Sequence, residues 1–148
     1  MIREYKNSDL EDVMTIWYDA QTKAHPFLSQ NFVQMVKMMM RDMFIPNSKT
    51  WVFEDTDTVL GFIAMMDNEI GGLFVDPNAQ SKGIGTSLLK YVESFHKMLE
   101  VEVFDQNKIG KPFYIKHGFK TMRQYMHAES NQKVIRMQRL TVEPNTAE

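Results

Sequence analysis

Residues Gly71 to Leu89 have the sequence GGLFVDPNAQSKGIGTSLL. The apolar run Leu73–Val75 is typical of a buried strand, and Pro77 helps to end it, because proline lacks an N–H and fixes φ. From Ile84 onward, apolar residues at positions 88, 92 and 95 have the spacing of one helix face. The stretch therefore predicts a strand, then a polar loop, then a helix that begins near Ile84.

Two glycines, Gly83 and Gly85, stand where this helix is predicted to begin. A ligand can approach a backbone without side chains, and the first helical N–H groups carry partial positive charge. The pattern predicts an anion site suited to phosphate. It is neither a P-loop nor a Rossmann fingerprint, because no lysine follows Gly85 and Leu88 occupies the third fingerprint position. An ordinary glycine-rich turn stays open as the alternative.

The segment Gln80–Gly85 resembles the Gln/Arg-x-x-Gly-x-Gly/Ala motif of the GNAT superfamily of N-acetyltransferases. A second block, Asn107–Phe119, resembles the family's Asn-x-x-Ala-x-x-Phe-Tyr-x-x-x-Gly-Phe and follows the predicted strand Glu100–Phe104, as it does in the family. A chance match to both motifs in the family's order is much less probable than a chance match to one of them. Gly110 replaces the usual alanine and Pro112 interrupts the helix, so we expect this helix to begin late or to bend.

The predicted elements follow the order β-α-α-β-β-β-α-β-α-β-β, which favours an α/β (α+β) fold with helices on both faces of a mixed sheet. We expect one domain at 1–140 and a flexible tail at 141–148. The resemblance implies a mostly antiparallel central sheet of six to seven strands flanked by about four helices. It also implies that one parallel strand pair splays apart to admit acetyl-CoA.

Composition narrows the possible functions of this chain of 148 residues. Its net charge of −2 gives no general electrostatic case for binding nucleic acid or an anionic membrane. The absence of cysteine excludes a disulfide framework and a thiol nucleophile, and no His, Asp or Glu spacing suggests a metal site. No signal-peptide pattern and no run of 18 apolar residues is present, so we expect a cytoplasmic location.

The family resemblance implies which residues hold acetyl-CoA. The strand residues Leu73, Phe74 and Val75 are expected to pair their backbone with the pantetheine arm and to direct an N–H at the thioester oxygen. Asn107 is expected to form a hydrogen bond with the pantetheine arm of CoA, although a role as a helix N-cap explains this residue equally well. The expected pyrophosphate loop consists of Gln80, Ser81, Lys82, Gly83, Ile84, Gly85 and Thr86.

Three residues are candidates for proton transfer. Tyr114 is the predicted general acid to the CoA sulfur, by resemblance and because a phenol near pKa 10 suits an alkyl thiolate; a core tyrosine is the alternative. Glu69 lies eleven residues before Gln80, the spacing of the catalytic glutamate in some family members. His25, in the loop between the first two helices, is a rival base because imidazole titrates near neutral pH. Water chains are the third possibility for the base.

These features predict an N-acetyltransferase that moves an acetyl group from acetyl-CoA to a primary amine of a small molecule or peptide by direct transfer. A non-catalytic acyl-CoA-binding or sensor module on the same fold is the alternative. Methionines at Met35, Met39, Met40 and Met43 have helical spacing and predict either core packing or an adaptable acceptor wall. A homodimer is left open, because the apolar strand Val134–Met137 can pair with another chain or close its own sheet.

Overall fold

The computed structural model describes residues 1–141, so the tail predicted at 141–148 lies almost entirely outside the described residues. The helices are α1 (Leu10–Ala24), α2 (Gln30–Met39), the short α3 (Ile45–Asn47), α4 (Ile84–Glu93) and α5 (Gly110–Lys116). The strands are β1 (Ile2–Glu4), β2 (Lys49–Asp55), β3 (Thr58–Met66), β4 (Glu69–Val75), β5 (Met98–Phe104), β6 (Lys120–His127) and β7 (Gln132–Leu140). Within residues 1–141, no helix has the length and apolar character needed to cross a membrane.

The seven strands form one sheet in the order β1-β2-β3-β4-β5-β7-β6. Neighbouring strands are antiparallel apart from β4 and β5, which run parallel. This parallel pair is matched at two positions only, Glu69 with Glu100 and Ile70 with Val101. Beyond these positions the two strands diverge toward their carboxyl ends. The fold class and the splayed strand pair predicted from the sequence are therefore confirmed.

A bulge in β4 accompanies this divergence. Ala64 of β3 pairs with Gly72, but the next residue, Met65, pairs with Ile70, which leaves Gly71 as an extra residue in β4. A bulge of this kind bends its strand. A side chain at Gly71 would collide with the ring of Phe44, so the close approach of that ring requires glycine. Phe44 ends a π-helical turn, Met40–Phe44, which continues α2.

Each face of the sheet carries its own apolar core. Helix α4 buries Leu88, Leu89 and Val92 on one face. Helices α1 and α2 cover the other face and bury residues such as Trp17 and Val33. On that face α1 packs over β3 and β4, so the open space beside the splayed pair lies at the edge of this helix.

Two details of the sequence analysis are corrected by the structure. The methionine stripe does not face the core as a unit: Met40 is buried, whereas Met35, Met39 and Met43 are exposed by 44%, 50% and 63%. The buried residues of this segment are Val33 in α2 and Met40 at the start of the π-helical turn, so Met35 and Met39 lie on the opposite, exposed side of the helix. Phe95 is also half-exposed, because α4 ends at Glu93, before this residue.

Helix α5 begins at Gly110, later than the second motif alone would place it, as expected from Pro112. Pro112 then lies in the first turn, where its missing N–H removes no intrahelical hydrogen bond. Gly118, with φ of +88°, follows the helix and ends it. Tyr114 consequently lies near the middle of a short helix that starts beside the open end of β5.

Candidate active site

A cavity of about 480 Å³ opens between the carboxyl end of β4, the start of α4 and the helix α5. We call this space the donor cavity. All of the residues predicted to hold acetyl-CoA line it except Lys82. Lys116 and His117, at the end of α5, contribute side chains that the sequence analysis did not single out. His117 Nε2 lies 3.1 Å from the hydroxyl of Thr86 and so joins the end of α5 to the start of α4.

The start of α4 has the geometry of an anion site. Gly83 precedes the helix with φ of +84°, a left-handed conformation that favours glycine. The first bond of the helix runs from the N–H of Ser87 to the carbonyl of Gly83, 3.0 Å away. Helix geometry therefore leaves the N–H groups of residues 84–86 without intrahelical partners at the positive end of the dipole. This arrangement suits the pyrophosphate of a CoA thioester.

The loop before α4 is held by the side chain of Gln80. Its Nε2 donates to the carbonyl of Val75 at 3.2 Å, and its Oε1 accepts from Nζ of Lys23 at 3.0 Å. Asp76 accepts from the backbone N–H of Asn78 at 2.9 Å, which tightens the turn that follows β4. The first motif glutamine thus fixes the loop to the end of β4 and to α1.

A second cavity, of about 270 Å³, lies on the other side of the β4 bulge. We call it the acceptor cavity; it is bordered by α1, α2, the loop between them, β4 and β5. The donor and acceptor cavities meet at the start of α5. The residues that line both of them are Leu73, Phe74, Asn107, Gly110 and Tyr114.

Tyr114 is buried, with 5% of its surface exposed, where the two cavities meet. Its ring packs against the rings of Phe113 and Phe119, at centroid distances of 5.3 and 5.2 Å. Burial raises the pKa of the phenol above its ordinary value, so the hydroxyl keeps its proton at neutral pH. A protonated phenol at this position is able to donate to a leaving group that forms between the cavities.

Asn107 caps the start of α5. Its Oδ1 accepts from the backbone N–H groups of Ile109 and Gly110 at 3.0 and 2.7 Å. An asparagine cap of this kind contributes about 1 kcal/mol to helix stability. Its Nδ2 lies 3.0 Å from Nε2 of His25, so the amide donates and the imidazole accepts. The cap interpretation of Asn107 is observed directly, and the residue also lines both cavities.

His25 is held among aromatic rings. Its centroid lies 4.9 Å from that of Phe104 and 5.7 Å from that of Phe27. Burial lowers the pKa of this imidazole to about 4, so the ring is neutral at physiological pH. The aromatic contacts continue from Phe104 to His127 and from His127 to Phe32, and all three of these side chains line the acceptor cavity.

The structure places the candidate base Glu69 away from both cavities and brings Glu102, which the sequence analysis did not consider, to the acceptor cavity. Glu69 lines neither cavity; its carboxylate receives a 2.9 Å bond from Arg136, which also pairs with Glu100 at 2.9 Å. Among residues 1–141, Glu102 is the one carboxylate that lines the acceptor cavity. The sequence analysis missed Glu102. The alternation of polar and apolar residues in this strand places Glu102 on the face opposite the buried valines, and this pattern could have indicated its position. No group of His, Asp or Glu in the described range is arranged to hold a metal ion.

The sheet with one splayed parallel pair, the anion loop and the buried tyrosine define an acyl-CoA-dependent transferase. The family model for the GNAT acetyltransferase domain matches residues 9–142, and the chain belongs to this family. It is 34% identical over 120 residues to the peptidyl-lysine N-acetyltransferase YiaC of Escherichia coli K12, covering 80% of this chain and 82% of that protein.

Solved structures agree with this assignment. The solution structure of apo-form YjaB from Escherichia coli has a TM-score of 0.83 at 25% identity and covers 93% of this chain and 95% of that one. The fold is also that of a PaiA N-acetyltransferase from Thermoplasma acidophilum solved with coenzyme A, at a TM-score of 0.76, 20% identity and coverage of 92% and 96%. The predicted GNAT membership and N-acetyltransferase activity are therefore confirmed, with acetyl-CoA as the donor that the family implies.

The neutral state of His25 predicts a specific loss of stability in acid. In the unfolded chain the imidazole takes up a proton near pH 6.5, whereas in the folded protein it does so near pH 4. Above pH 6.5 the imidazole is neutral in both states, so it adds no pH dependence to stability. As the pH drops from 6.5 to 4, the free energy of unfolding falls by up to about 1.4 kcal/mol per pH unit, because only the unfolded chain binds the proton. Urea unfolding of the wild type and of His25→Gln isolates this contribution, and equal pH slopes for the two proteins would contradict it.

Proposed function

We propose that this N-acetyltransferase acetylates the side-chain amine of a lysine in a peptide or protein. The observation that carries the proposal is the meeting of the donor and acceptor cavities at Tyr114. Relatives named peptidyl-lysine N-acetyltransferases, YiaC and YjaB of Escherichia coli, support this acceptor class.

The residues that line the acceptor cavity are suited to bind a cationic group at the end of an apolar chain, as in a lysine side chain. Its walls are aliphatic and aromatic, with Val33 and Val36 from α2 and Phe104 from β5. Such walls suit the methylene stem of lysine, and aromatic faces attract its ammonium group. Glu102 supplies one negative charge along this wall. A small amine that carries further charged groups would leave those groups without partners in the same space.

In the proposed reaction, Glu102 takes a proton from the lysine ammonium group through a water molecule. The neutral amine then attacks the thioester carbonyl, the new C–N bond forms and the C–S bond breaks. Tyr114 gives its proton to the departing sulfur, which leaves as the thiol of CoA. The nitrogen of the new amide loses its second proton through water to the phenolate, which restores Tyr114, and Glu102 releases its proton to solvent. One proton is thus released for each acetyl group transferred, and charge and atoms balance over the cycle.

The backbone of β4 is suited to hold the thioester. The N–H of Asp76 donates to the carbonyl of Leu60 at 2.8 Å, so the alternation of antiparallel pairing turns the polar groups of Leu73 and Val75 away from β3. These groups face the gap left by β5, which is matched with β4 only as far as Ile70. A backbone N–H directed into this gap is placed to polarise a carbonyl that binds there.

The acceptor class is tested with two matched sets of peptides and acetyl-CoA. One set has a blocked N-terminus and a single lysine; the other has a free N-terminus and norleucine in place of lysine. We expect acetylated product by mass spectrometry from the first set alone, because only a lysine stem reaches Tyr114 through the acceptor cavity. Product from the second set alone would contradict the proposal and favour an α-amine acceptor.

The base is tested by the variants Glu102→Gln and Glu69→Gln. We expect Glu102→Gln to lower kcat/KM by about 100-fold or more and to remove the acidic limb of the pH–rate profile. Glu69→Gln, the matched control, leaves that limb in place because its carboxylate binds Arg136 rather than lining the cavity. The reverse result would overturn the role of Glu102 and support Glu69 as the base predicted from the sequence.

A further inference from the structure

We infer that His25 is a positioning residue: by accepting a hydrogen bond from Asn107, it fixes the short helix that carries Tyr114 to the loop beside the acceptor cavity. The inference deepens the proposed function and rests on it for the role of Tyr114. The two residues are 82 positions apart in the chain, so their contact joins the α1–α2 loop to the second motif.

The orientation of the Asn107 amide follows from its partners. Backbone N–H groups only donate, so the atom that faces Ile109 and Gly110 is the amide oxygen, Oδ1. The amide nitrogen then faces His25, and it donates to Nε2 across 3.0 Å. Nε2 is therefore the unprotonated nitrogen of a neutral imidazole, and the ring proton resides on Nδ1.

This arrangement leaves His25 without a free lone pair for proton transfer. A neutral imidazole has one accepting nitrogen, and Asn107 occupies it. A base role would require His25 to release the Asn107 amide nitrogen in every cycle, and so to break the contact that joins the α1–α2 loop to the start of α5. The geometry thus favours a permanent hydrogen bond between Asn107 and His25 over a role of His25 in proton transfer.

Helix α5 needs such support because it spans only seven residues, Gly110 to Lys116. An isolated helix of this length is not stable in water, so its position depends on its cap and its packing. Asn107 provides the cap, and Tyr114 follows Gly110 by about one turn. A change in the Asn107 amide therefore moves the phenol relative to the site where both cavities meet.

His25 itself is held firmly enough to act as the fixed partner. Its backbone N–H donates to Gln21 at 2.7 Å at the end of α1, and its carbonyl accepts from Leu28 at 3.2 Å in the following loop. Its ring packs against Phe27 and Phe104. Because Phe104 also lines the acceptor cavity, the same contacts that shape the cavity hold the imidazole toward Asn107.

Two substitutions separate the hydrogen bond from the aromatic packing. His25→Gln keeps an acceptor, because its amide oxygen reaches about as far as Nε2. His25→Phe keeps a ring of similar size and removes the acceptor. We expect His25→Gln to retain kcat within about threefold and to keep the acidic limb, whereas His25→Phe lowers kcat at least tenfold with the KM of the peptide changed by less than threefold.

Amide NMR spectra of the free protein give a second readout that needs no turnover. We expect shifted or broadened signals from residues 109–116 in His25→Phe and wild-type positions for those signals in His25→Gln. This result would stand even if the lysine peptides proved not to be acceptors, so failure of the proposed function is distinguishable from failure of this inference.

Three outcomes would overturn the inference. Loss of the acidic limb in His25→Gln would make His25 the base. Wild-type kcat and wild-type α5 signals in His25→Phe would show that the hydrogen bond positions nothing. In the Asn107→Ala background, where the bond is already absent, His25→Phe should cause little further loss of kcat, and a full additional loss would likewise contradict the inference.

Discussion

The divergence of β4 from β5 is the constraint on which the site depends. Backbone polar groups that lose a strand partner need another, and here the gap opens after only two matched positions. The bulge at Gly71 bends β4 at this point, and the Phe44 ring occupies the space that a side chain at Gly71 would need. The donor cavity lies at one end of the gap, and the acceptor cavity reaches it past the bulge.

The polar side chains in and near the two cavities differ in the contacts that they make. Tyr114 keeps its proton because burial disfavours the phenolate, and the Asn107 amide bonds to the start of α5 and to His25. Glu69 is held by Arg136 at the far end of the parallel pair. Glu102 adds negative charge to a wall that is otherwise mostly apolar and aromatic. The proton donor, the helix cap and the negative charge in the acceptor cavity are thus three different side chains.

Local sequence was sufficient to predict which residues line the donor cavity, because the strand, loop and helix of residues 71–89 are consecutive. All of the predicted cofactor residues except Lys82 line this one space. Local sequence was insufficient wherever partners are distant in the chain. Glu69 is bound by a residue 67 positions away, and the cavity role of Glu102 arises only from the splay. Met43 is likewise exposed and lies in a π-helical turn that apolar spacing does not reveal.

The most direct test of this account is a titration of the protein with CoA followed by its backbone amide NMR signals, with ATP as the control nucleotide. The account predicts saturable changes in residues 73–75 of β4, in the loop and helix start at 80–86, and at 107–110, with ATP unable to reproduce the changes in β4. Binding that leaves β4 unchanged, or no binding by the folded protein, would contradict the claim that the splayed strand pair holds the donor.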